Sequence, residues 1–127
     1  MNMCVNTPPT GDDQSIEQEI QAKGKTAPRV TPQDIEANIA SEHYFRGSDG
    51  VYAAEGVLFN FGHPIPLLTF CVLVLRNGFT VTGESACASP ENFDAEIGRK
   101  IARQNAVAKI WPLMGYELKS RLTTQTA

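Results

Sequence analysis

Residues 66–111 read PLLTFCVLVLRNGFTVTGESACASPENFDAEIGRKIARQNAVAKIW, and this stretch decides the fold. Residues 67–75 form an almost unbroken apolar run rich in β-branched and aromatic side chains. Such a run suits a central strand covered on both faces. Asn77 and Gly78 follow, a dipeptide that tolerates positive φ and predicts a two-residue hairpin turn. Residues 79–86 are then the return strand. Closing the hairpin there pairs Leu75 with Thr80, Leu73 with Thr82 and Cys71 with Glu84. It also sets Gly83 opposite Val72, where a missing side chain lets another group approach the sheet closely.

Ser89, Pro90 and Glu91 predict the start of the main helix: a capping hydroxyl, proline in the first turn and an acid at the positive end. At 100° per residue, Phe93, Ile97, Ile101, Ala108 and Trp111 make one stripe, read as the core face. Ala95, Gly98, Ala102 and Ala106 make a second stripe of small residues, open to packing within the chain or against a second copy. Arg99 and Arg103 lie between the two. Pro112 predicts the end of this helix, and Gly115 precedes a last helical piece over 116–122.

Working back towards the N-terminus, Thr31, Pro32 and Asp34 predict a short capped helix ending near Ser41 or Glu42. His43, Tyr44 and Phe45 suit the start of a strand. Residues 46–66 are broken by glycine and proline and read as a loop excursion with one or two short strands. Residues 1–30 read as a weakly ordered tail, with room for a short helix over 15–23. The expected fold is α+β: an antiparallel sheet around a central hairpin, with one long C-terminal helix and a short N-terminal helix in a single domain over 31–127.

A chain of 127 residues is one domain by length. A folded part of about a hundred residues hides only about two-thirds of its unfolded surface, so self-association is a common supplement. Net charge is −3, but residues 1–60 carry nine acids against four bases, and residues 61–127 seven bases against five acids. That basic surplus suits a small anion better than a DNA or RNA polymer. Three cysteines without an export signal imply a reducing cytoplasm. No run approaches the roughly eighteen apolar residues of a membrane span, so no membrane partner is expected.

Arg99 and Arg103 are one helical turn apart, able to converge on one phosphate or to pair with Glu96 on a solvated face. The helix start at Ser89 and Asn92 suits either an anion or plain capping. Phe79, at the hairpin end, is a stacking platform or a core ring. Cys87 beside Glu84 would be a nucleophile only with a histidine base, and His43 and His63 lie in no partner motif. Neither metal-ligand spacing nor a Gly-rich phosphate loop is present, so no metal or cofactor is expected.

The ordered series Asn77, Gly78, Phe79; Gly83 to Cys87; Pro90, Asn92, Phe93, Asp94; Gly98 and Ala102; Ile110, Trp111, Gly115 and Tyr116 resembles a family of small phage and prophage proteins. It is also similar to the first Thoeris anti-defence family, over about residues 32–122, with 47–64 as an interruption. That resemblance implies a non-enzymatic sponge in the cytoplasm of an infected bacterium. Its ligand would be a cyclic ADP-ribose isomer (gcADPR) made by TIR enzymes and, in some relatives, cyclic trinucleotides of CBASS defence. It also implies a homodimer or a hexamer built from dimers. Arg99 and Arg103 are the expected phosphate ligands, Phe79 the adenine platform, and Asn92 with Ser89 the ribose contacts. The rival readings are a protein–protein inhibitor of a host enzyme, docking through the hairpin and residues 47–64, and a hydrolase using Cys87 or Glu84.

Overall fold

The computed structural model describes residues 11–25 and 27–126. In chain order come α1 (Gly11–Ala22), α2 (Pro32–Ala37), β1 (Ile39–Arg46), α3 (Gly47–Glu55), a 3-10 turn (Ile65–Leu67), β2 (Leu68–Leu75), β3 (Thr80–Ala86), a second 3-10 turn (Pro90–Asn92) and α4 (Ala95–Thr126). The strands form one antiparallel sheet in the order β1-β2-β3. The expected α+β architecture is therefore present.

β2 is the middle strand, yet it is covered on one face only. Thr69, Cys71, Leu73 and Leu75 are buried beneath α4, while Leu68, Phe70, Val72 and Val74 are half-buried on the other side. The unbroken apolar run therefore serves one core face and one open apolar face, where Phe45 stacks on Phe70 with ring centroids 5.3 Å apart.

The hairpin turn differs from expectation by one residue. Gly78 N–H donates to the Leu75 carbonyl at 2.9 Å, and Leu75 N–H to the Phe79 carbonyl at 2.8 Å. The loop is thus Arg76, Asn77 and Gly78, with Gly78 alone at positive φ (90°). The extra residue shifts the register: Leu73 pairs with Val81, Cys71 with Gly83 and Phe70 with Glu84.

Gly83 is where α4 meets the sheet. A Cβ there would stand 2.2 Å from the Ala102 carbonyl oxygen and 2.3 Å from the Ala106 nitrogen. On the helix side Gly98, Ala102, Ala106, Val107 and Ile110 are buried, whereas Ile97 and Ala108 are exposed. The small-residue stripe is therefore the packing face within the chain. Close backbone approach requires small residues, which displaces the larger stripe to the flanks. Phe93 and Ile101 pack with Leu67 and Cys87 in a satellite cluster, and Trp111 against the edge of the main core.

α4 neither starts nor stops where its prolines suggest. Ser89 makes no side-chain cap, and Pro90–Asn92 is only a 3-10 turn. The cap is Asp94, whose carboxylate accepts the Ile97 N–H at 3.0 Å. Pro112 lies inside the helix rather than at its end. It deprives the Ala108 carbonyl of its donor, but Ala108 and Pro112 are both exposed, so water can serve that carbonyl.

The short N-terminal helix stops earlier than expected, at Ala37, and Ile39 already belongs to β1. A reciprocal capping box of Thr31 and Asp34 opens it, with bonds of 2.9 and 3.1 Å. The 46–66 excursion contains a helix rather than short strands. Asp49 accepts the Arg46 N–H at 2.8 Å, and Gly56 closes α3 in the left-handed conformation. The guanidinium of Arg46 binds the Pro66 carbonyl and lies 4.4 Å above the Phe93 ring, tying the start of β2 to the approach to α4.

Within the segment read as a weakly ordered tail, α1 is formed and anchored. Glu17 is buried, accepts both terminal nitrogens of Arg29, and accepts the Gln21 amide at 2.7 Å. Residues 1–10 lie outside the described residues. The Arg29 fork, and then Gln21, hold the Glu17 carboxyl down at about 2, against an ordinary 4.5. Asp13 on α1 lines, together with Glu17, a hollow between α1 and Trp111, and Asp34 on α2 lies near Arg29. A depressed carboxyl contributes stability above its unfolded value and loses it as protonation sets in. Docking of α1 should therefore be constant from pH 8 to 5 and fade as the pH falls from 4.5 towards 2. Trp111, the single tryptophan, lines the hollow under α1, so its emission during acid titration measures this.

Candidate arginine-walled cleft

The hairpin turn, α2 and the part of α4 beyond Pro112 enclose a cleft of about 760 Å³. Its floor is apolar: Val30, Leu75, Leu113, Met114 and Leu118. Arg29, Arg76 and Arg121 line its wall, and Phe79 lines it with 56% of its surface exposed. Asn38 and Asn77 add amides, and Asp34 and Glu117 add two carboxylates. The volume lies within the roughly 300–1,000 Å³ of small-molecule sites.

Each cation is held differently. Arg121 Nε donates to Glu117 at 2.6 Å along the helix surface. Arg76 gives its Nε to the Ala37 carbonyl and its backbone N–H to Asn38. Among the described residues nothing hydrogen-bonds its terminal nitrogens, which stay available to an anion. Arg29 is engaged by Glu17 through both terminal nitrogens.

The residues expected to bind are distributed otherwise, apart from Phe79. Arg103 is locked inside the chain: its fork reaches Glu36 at 2.7 and 3.1 Å and Glu42 at 3.2 to 3.4 Å. Glu42 also accepts the Tyr44 hydroxyl at 2.7 Å. Glu36 foremost, then Glu42, raise the Arg103 guanidinium above the usual arginine range, whereas burial opposes them. Tyr44 foremost, then Arg103, hold Glu42 low. One cation facing two carboxylates is a cross-brace between α4, α2 and β1 and offers no open fork to a phosphate. Arg99 is exposed and pairs with no described side chain, so the two arginines do not share a ligand. Glu96 pairs with Lys100, at 3.3 Å. Asn92 ends the second 3-10 turn and Ser89 precedes it, so neither stands at the start of α4.

The Cys87 thiol is buried and donates to the Ser89 carbonyl at 3.3 Å. His43 bonds Ser41, and His63 accepts the Ile65 N–H; neither hydrogen-bonds Cys87. Glu84 lies on the open face of the sheet. No group of three or more metal-binding side chains occurs among the described residues, and none of their helices is long and apolar enough to cross a membrane.

A family model covers residues 30–122 of this chain. The chain belongs to the phage protein (N4 Gp49/phage Sf6 gene 66) family. No curated protein and no solved structure matches it. The matched range of this phage family takes in the sheet, α2, and Phe79, Arg76 and Arg121 of the cleft, whereas α1 and Arg29 precede it.

Two of the three cleft arginines were within reach of the sequence. Arg76 adjoins the hairpin dipeptide, and Arg121 follows Leu113, Leu118 and Glu117 on a helix that continues if Pro112 is read as solvent-facing. Arg103 carries a separate expectation. Arg103→Ala should lower stability by about 1–2 kcal/mol, because Glu36 and Glu42 then face each other unneutralised. Nucleotide affinity should be unchanged. Urea unfolding beside titration calorimetry separates these effects.

Proposed function

We propose that this phage protein is an anti-defence sponge: it takes up a small cyclic nucleotide signal in the arginine-walled cleft and keeps it intact. The carrying observation is the convergence of an exposed aromatic ring, open guanidinium nitrogens and amides over an apolar floor. A purine stacks on Phe79, worth about 1–3 kcal/mol per base. The diphosphate engages Arg76 and Arg121 through charge-assisted hydrogen bonds, and Asn38 and Asn77 address ribose hydroxyls. The resemblance to Thoeris anti-defence proteins points to gcADPR, with CBASS cyclic trinucleotides as the second ligand class. Self-association, which that resemblance also implies, would use the open sheet face around Phe45 and Phe70.

The test is an uptake-and-release assay. Incubation with gcADPR should deplete free ligand stoichiometrically, and heating the protein should return it chemically unaltered. Cleavage products in the released fraction would refute the sponge reading. Absence of uptake of both gcADPR and cyclic trinucleotides would remove the nucleotide reading altogether.

One observation favours a second reading, inhibition of a host enzyme by direct contact. Leu58 and Phe61, on the loop after α3, are 80% and 87% exposed beside Tyr52 and Val57. Under that reading Leu58→Asp with Phe61→Asp abolishes inhibition and leaves nucleotide uptake intact.

A further inference from the structure

Among the described residues, the side-chain hydrogen bonds that join α1 to the rest of the chain are those of one ion pair, Glu17 with Arg29. The large apolar residues of α1 are Ile16, which is 56% exposed, and Ile20. Between the helix and the body remains a hollow of about 230 Å³, lined by Ile16, Ile20, Val30, Pro32 and Trp111 together with Asp13 and Glu17. The indole N–H of Trp111 is buried and has no hydrogen-bond partner among the described residues. An open hollow in place of close packing gives α1 few apolar contacts, and an unpaired buried donor weakens the docked arrangement further. What holds α1 down is the Glu17 carboxylate, only 4% exposed, seated in the fork of Arg29.

Arg29 also lines the cleft beside Arg76 and Arg121. Its terminal nitrogens already face the Glu17 carboxylate from the α1 side, and a phosphate oxygen would have to replace that carboxylate to engage them. From this we propose that α1 is an autoinhibitory strap: Glu17 occupies Arg29 as a phosphate surrogate, and an incoming diphosphate displaces it and releases the helix. Ligand binding and α1 docking then compete for one guanidinium, so each weakens the other by the same factor. The proposal rests on the reading of the cleft as an anion site. Glu17 and Arg29 both precede residues 30–122, so the strap is a feature of this chain added to the region shared by its family. The linker, with Gly24 at φ +68°, supplies the hinge.

The experiment uses the full chain, inorganic pyrophosphate as probe and Trp111 fluorescence as reporter. Glu17→Gln keeps the shape of the side chain and removes its charge. It should shift Trp111 emission to the red, speed hydrogen exchange across α1 about tenfold while β2 and α4 stay protected, and tighten pyrophosphate binding at least fivefold. Saturating pyrophosphate should produce the same α1 exchange in the unaltered protein. Arg29→Ala should free α1 with or without the probe. If α1 exchange is indifferent to both Glu17→Gln and pyrophosphate, or if neither form binds the probe, the strap is overturned. Tight gcADPR uptake with α1 unmoved overturns the strap and leaves the cleft standing. Pyrophosphate-driven release without gcADPR uptake supports the strap and removes only the identity of the signal.

Discussion

Replacing Gly83 by valine is expected to abolish the folded state. The backbone of α4 rests on this glycine, and a Cβ would lie 2.2 Å from the Ala102 oxygen, 2.3 Å from the Ala106 nitrogen and 2.9 Å from the Asn105 carbonyl carbon. All three are main-chain atoms of a regular helix, so no rotamer change relieves the clash. α4 would have to lift off the sheet, unseating Ala102, Ala106 and Ile110, each fully buried. Overpacking usually costs about 1–3 kcal/mol when side chains can yield. Here they cannot, and even Gly83→Ala should exceed about 3 kcal/mol. A domain of this size has only about 5–15 kcal/mol in total. Circular dichroism and urea titration decide it: a cooperative transition near the parental midpoint in Gly83→Ala would mean that α4 does not lie on β3 in this way. Gly115→Ala is the control. Nothing stands within 4 Å of that Cβ, so the variant should gain about 0.5–1 kcal/mol.

The same glycine shows what the sequence could and could not tell. Its place in the return strand announces a close approach, and a stripe of glycine and alanine along the following helix announces the partner. What pattern alone does not reveal is that the two close on each other within one chain. The register was missed by one residue because Asn77 and Gly78 permit both a two-residue turn and a three-residue loop. Only the bonds from Leu75 and Gly78 distinguish them. α3 was hidden because Gly47 and Gly50 look like breakers. In the fold Gly47 is a site of close approach, to the Ile65 carbonyl, and Gly50 sits in ordinary contact with the Phe45 ring. Pro112 misled because the cost of a proline depends on where its orphaned carbonyl faces. The electrostatics were least legible. Arg103 looks like a ligand for phosphate until Glu36 and Glu42, sixty-odd residues away, are brought to it by α2 and β1.

Removing Arg76 and Arg121 together, by alanine at both positions, should weaken nucleotide uptake by about a thousandfold. A charge-assisted hydrogen bond contributes about 1.5–3 kcal/mol, and two lost contacts amount to about 4 kcal/mol, at tenfold per 1.4 kcal/mol. The fold should survive. Arg121 makes an exposed pair with Glu117 one turn away, worth about 0.3–0.5 kcal/mol, and Arg76 spends only its Nε and backbone N–H on the chain. The single variants say how the anion is held. If each costs ten- to a hundredfold and the double change equals their product, the two cations grip separate phosphates. If either single change already gives the full loss, both grip one phosphate, since an isolated fork then fails to hold it. Arg99→Ala, on the exposed face of α4 and away from the cleft, should leave affinity unaltered. Titration calorimetry with gcADPR measures all four variants. Parental affinity in the double variant, or a large loss in Arg99→Ala, would move the site away from the hairpin turn.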